Sequence, residues 1–175
     1  DRMWLKLCIS YCDVNLGNKA SALSYLEQIL VGQDENFNLN TDEIMEYQIF
    51  DAYYELEEYE KFLGYCTEEV DSEYYTVDWK HLYYVLWICG KRDRFLRLEE
   101  KNRDYLEGAI RDAMADTEYE NEQEKQDTIE SWKEDKREFE EMLSRIKDRQ
   151  IRPEMELKLY PEYSCYMIDC VRHKF

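Results

Sequence analysis

Few residues in this chain could do chemistry, and their spacing argues against most of it. The clearest constellation is Cys165 with Cys170-x-x-His173. Thiolates and an imidazole are good zinc ligands, but a closed zinc site takes four, and no Cys-x-x-Cys pair supplies the remainder. Cys8 and Cys12 lie one helical turn apart. That spacing suits redox or ligand partners, and equally two small apolar side chains packed at a helix interface. A cysteine nucleophile needs a base beside it, and neither His81 nor His173 belongs to a motif that ties it to a cysteine. Carboxylate pairs such as Glu57 with Glu60, or Glu118 with Glu122, follow from 41 acidic residues in a chain of 175. The Glu-x-x-His motif of di-iron bundles does not occur. Neither do phosphate-binding glycine loops, G-x-S-x-G or H-E-x-x-H. The expectation is a chain that is not an enzyme, with no catalytic residues, no metal and no cofactor.

Composition narrows the elements that must carry these residues. The chain has five Gly and two Pro, too few for hairpins of strands or for barrels, and enough for long helices with short connections. Hydrophobic residues make up 44%, so a core can form despite 37% charged residues. The formal net charge is -18. Residues 1–90 hold 18 acids against 5 Lys or Arg (net -13), and residues 91–175 hold 23 against 18 (net -5). Such a surface repels phosphate backbones and anionic lipid, so neither nucleic acid nor membrane is an expected partner. It suits a basic peptide or protein, or serves solubility alone. The six cysteines fall among apolar helix positions rather than in a small secreted framework, which points to a reducing, cytoplasmic setting. No run of 18 apolar residues occurs. No signal peptide is visible, and a chain that starts at Asp1 is expected to be part of a larger protein.

Three segments repeat one logic: a helical apolar stripe, a short break and a second stripe. In the first, Trp4, Leu7, Cys8 and Tyr11 precede the break at residues 15–18, where Gly17 can end a helix in the left-handed region. Ala22, Leu23, Leu26, Ile29 and Leu30 follow. A polar loop spans residues 31–40, and Thr41 or Asp42 would cap the next helix. The second segment pairs Ile49, Phe50, Tyr53 and Leu56 with Tyr59, Phe62, Leu63 and Cys66. The third pairs Trp79, Leu82, Tyr83 and Leu86 with Phe95, Leu96 and Leu98 across Cys89-Gly90-Lys91. Its second helix runs on through Tyr105, Leu106, Ile110 and Met114.

The stretch from Leu16 to Leu30 resembles the second half of a tetratricopeptide repeat, with its Leu-Gly turn, a small Ala, then aromatic and aliphatic positions. The helices carrying Trp4 and Trp79 fit the same family. The resemblance covers roughly residues 3–100. It departs from the family in a first turn about two residues longer than usual, in Glu57 where Gly is usual, and in Phe62 and Phe95 where Ala is usual. It implies an all-α fold, a right-handed stack of α-hairpins forming a solenoid. In that family the first helices of successive hairpins line a groove for an extended peptide or a partner helix. Carried over by position, the groove candidates are Leu5, Ile9 and Asp13, then Tyr47, Asp51, Tyr54 and Glu55, then Lys80, Tyr84 and Trp87. This acidic and aromatic set implies a partner with Lys or Arg and apolar anchors. The function expected from the resemblance is a scaffold or adaptor that binds a protein or peptide. The alternatives are a peptide-sensing regulatory domain and an accessory domain of a larger enzyme.

Eleven of the sixteen Tyr lie within residues 1–90. Tyr11, Tyr53 and Tyr83 are expected to pack the hairpins, and the others are open to a binding role. The repeat region is placed at 1–118. Residues 119–151 hold a long amphipathic helix from Glu122 to Arg149, with Ile129, Trp132, Phe139, Leu143 and Ile146 on one face. It could cap the last repeat or pair as a coiled coil, and three heptads favour the cap. Residues 152–175 form a tail. Met155 to Leu159 alternates as a strand would, and 163–171 could be strand or helix.

Overall fold

The structure is a computed structural model, and it describes residues 2–31, 43–66, 80–119, 121–155 and 157. Among these residues it is all-helical. The helices are α1 (Arg2–Asn15), α2 (Lys19–Val31), α3 (Glu43–Glu55), α4 (Tyr59–Tyr65), α5 (Lys80–Ile88), α6 (Arg92–Ala115) and α7 (Glu122–Arg149). No strand occurs among the described residues. Trp79, most of the alternating segment 155–159 and the Cys165, Cys170 and His173 constellation lie outside them.

Three turns join consecutive helices by one hydrogen-bond pattern. In the first, Gly17 has φ +76°, its N–H donates to Val14 O at 3.0 Å, and Asn18 N–H donates to Asp13 O at 2.8 Å. In the second, Glu57 has φ +59°, and Glu57 and Glu58 donate to Tyr54 O and Tyr53 O at 3.0 and 2.9 Å. In the third, Gly90 has φ +70°, and Gly90 and Lys91 donate to Trp87 O and Leu86 O at 3.3 and 2.9 Å. Each is a Schellman ending, which satisfies two of the carbonyls a helix leaves open. The next helix starts at once, its first bonds running from Ala22 to Asn18, from Phe62 to Glu58 and from Phe95 to Lys91. The left-handed residue therefore aligns the three hairpins: 17 with 57 and 90.

The chain divides into two compact units, residues 1–62 with 154–175, and residues 63–153. In the first, α1 packs on α2 and on α3. Leu7, Tyr11, Ala22, Leu26, Ile29, Ile49, Phe50 and Tyr53 form its core. Tyr11 hydroxyl donates to Gln48 O at 2.7 Å, and Ser10 hydroxyl to Ala22 O at 3.1 Å. Lys19 ties the first hairpin to the second turn, donating to Leu56 O at 2.7 Å and meeting Glu58 at 3.1 Å.

In the second unit, α7 packs along α5 and α6. Phe95, Leu98, Asn102, Leu106 and Ala113 of α6 face Ile129, Phe139, Leu143 and Ile146 of α7 across a buried seam. Tyr83 stands at its centre, 5.6 Å from the Phe139 ring and hydrogen-bonded through its hydroxyl to Asn102. The α7 ends are complete: Asn121 accepts from Glu124 N–H, Glu122 and Glu124 face the positive end of the helix dipole, and Lys147 and Arg149 the negative end. Long side chains bridge α6 and α7 outside the seam, among them Arg103 to Glu140 at 3.0 Å, Lys136 to Glu107 at 2.7 Å, and Lys147 to Glu99.

Candidate functional site

The turn register shows which groove candidates occupy equivalent positions. Tyr47 and Lys80 lie ten residues before the left-handed residue, Asp51 and Tyr84 six before, and Tyr54 and Trp87 three before. In the first hairpin those positions are Leu7, Tyr11 and Val14. Leu7 and Tyr11 are buried core. Leu5, Ile9 and Asp13 thus sit on a different face of their helix from the row made by the other two hairpins. Seven candidates belong to the first compact unit and three to the second.

Burial sorts them further. Tyr54 is fully buried, packed on Tyr59 and Phe62 at centroid distances of 6.0 and 6.1 Å. Tyr84 is buried as well. These two rings have almost no surface to offer a ligand, because α3 and α5 are enclosed on most sides. Trp87 is half-buried. Its ring packs on Phe95 at 5.1 Å and carries the Arg92 guanidinium 3.4 Å above it, so a cation of the chain itself already occupies that face. Lys80 is exposed at the start of α5. Tyr47 lies on α3, with its side chain outside the described residues.

Asp51 and Glu55 lie one turn apart on α3. Both are half-buried. Burial raises the Asp51 carboxyl from 3.8 to about 6, since a charge withdrawn from water favours its neutral form. No cation among the described residues offsets this. Glu55 lines a cavity of about 290 Å³ between the first two turns, with Val14, Gly17, Lys19, Leu56 and Glu57. Lys19, the basic group in that wall, is engaged by Leu56 O and Glu58. The arrangement is a small recess whose wall carries Glu55 and Glu57 beside Lys19. It can hold a positive group; it has no nucleophile paired with a base. No family model, curated protein or solved structure matches this chain.

Asp13 is half-buried and already committed, accepting from Ser21 at 2.6 Å and from Asn18 at 3.2 Å. The cysteines at 8, 12, 66 and 89 are free thiols. Among the described residues no group of three or more His, Cys, Asp or Glu could hold a metal ion. No helix among them is long and apolar enough to cross a membrane.

The groove candidates Leu5 and Ile9 belong to a longer row with Cys12 and Leu16. The outward face of α1 is apolar. Leu5 is 50% and Leu16 74% exposed, Cys12 is exposed, and Ile9 half-buried. Spacings of 4, 3 and 4 were visible in the sequence on the side opposite Leu7 and Tyr11, and they are the signal that finds it.

Proposed function

We propose that this chain is a non-catalytic binding module of tetratricopeptide-like hairpins, a scaffold or adaptor that takes a protein or peptide segment bearing Lys or Arg. The observation that carries this reading is Asp51. A half-buried carboxylate raised to about 6 lowers the stability of the free fold at neutral pH. A Lys or Arg from a partner would relieve that cost by pairing with it. Glu55 and Glu57 beside the cavity extend the same preference. Repeated Schellman turns in three successive hairpins support the repeat character. The free thiols suit a reducing cytoplasm.

The test is a fluorescence titration with an amphipathic peptide of apolar and Lys/Arg residues, against a control with Glu at the basic positions. The basic peptide should bind, the control should not, and Asp51→Asn should weaken binding roughly tenfold, about 1.4 kcal/mol. Wild-type affinity should fall as pH drops through about 6, where Asp51 takes up a proton. Equal binding of both peptides, or an Asp51→Asn affinity equal to wild type, would remove the reading.

A further inference from the structure

We draw no further inference here: the strongest candidate, the cationic end of the second unit, where Arg92 at the start of α6 and Lys147 near the end of α7 lie at the same end of the packed pair, carries nothing, because Arg92 already donates to Trp87 O, Lys147 already pairs with Glu99, and nothing in the structure shows what would cover that end.

Discussion

Tyr83 and Phe95 stand edge to face, centroids 5.3 Å apart and planes at 80°, at the two positions where the first hairpin has Ser10 and Ala22. Phe50 and Phe62 make the same kind of pair in the second hairpin, at 6.3 Å and 65°. The close contact between two helices is thus filled in one of two ways. Small residues meet with a hydroxyl-to-carbonyl hydrogen bond, or two rings meet edge on. A ring on one helix goes with a ring on the other, so Phe62 and Phe95, which stand where the first hairpin has Ala22, are matched across their hairpins.

Phe95→Ala should therefore lower stability by about 3–5 kcal/mol, the cost of an emptied aromatic site. Ala22→Phe, which puts a ring where Ser10 offers no matching shape, should cost about 1–3 kcal/mol through overpacking. Urea unfolding of each variant checks both numbers.

The three left-handed turn residues predict opposite signs. Gly90→Ala should destabilise by about 1–2 kcal/mol, because a Cβ is disfavoured at positive φ. Glu57→Gly should stabilise by up to about 1 kcal/mol for the same reason, since Glu57 already stands at φ +59°. The shift in denaturation midpoint distinguishes the two.

Two carboxylates give pH dependences of opposite slope. Burial works to raise Glu99, but hydrogen bonds from Lys147 and Arg103 outweigh it and hold the group below its ordinary 4.5. Its contribution is present above pH 4.5 and lost as pH falls through the lowered folded value. Asp51 is raised, so the stability it confers when protonated is present below 3.8 and lost as pH rises towards about 6. Chemical denaturation across this range should show Asp51→Asn removing the decline between pH 4 and 6. Lys147→Met should shrink the loss on the acid side.

The Tyr83 hydroxyl gives a fourth expectation. Tyr83→Phe keeps the ring contacts with Phe95 and Phe139 and deprives buried Asn102 of its partner. A cost of about 1–3 kcal/mol is expected. Combining it with Asn102→Leu should recover part of that loss, which a double-mutant cycle measures.

The sequence alone carries much of the helical content of this protein. Low Gly and Pro and the 3.6-residue stripe mark α7 from Glu122 to Arg149, with the same bounds in the structure. Gly17 and Gly90 mark two of the three turns, because positive φ selects glycine. Glu57 shows no such signal, since its conformation is imposed by helices packed on either side. Tyr11, Tyr53 and Tyr83 are buried as their stripes predict.

Exposure was decided only by tertiary packing. Helical period tells which side chains share a face, not how many faces become enclosed. α3 and α5 are surrounded on most sides, so Tyr54 and Tyr84 are buried while Asp51 and Glu55 are half-buried. α1 packs on one side alone among the described elements, leaving Leu5, Cys12 and Leu16 in water. The electrostatic consequence is equally non-local. The total of -18 is fixed by composition, but which carboxylate stands without a cation depends on where Lys19, Lys147 and Arg103 find their partners across the fold.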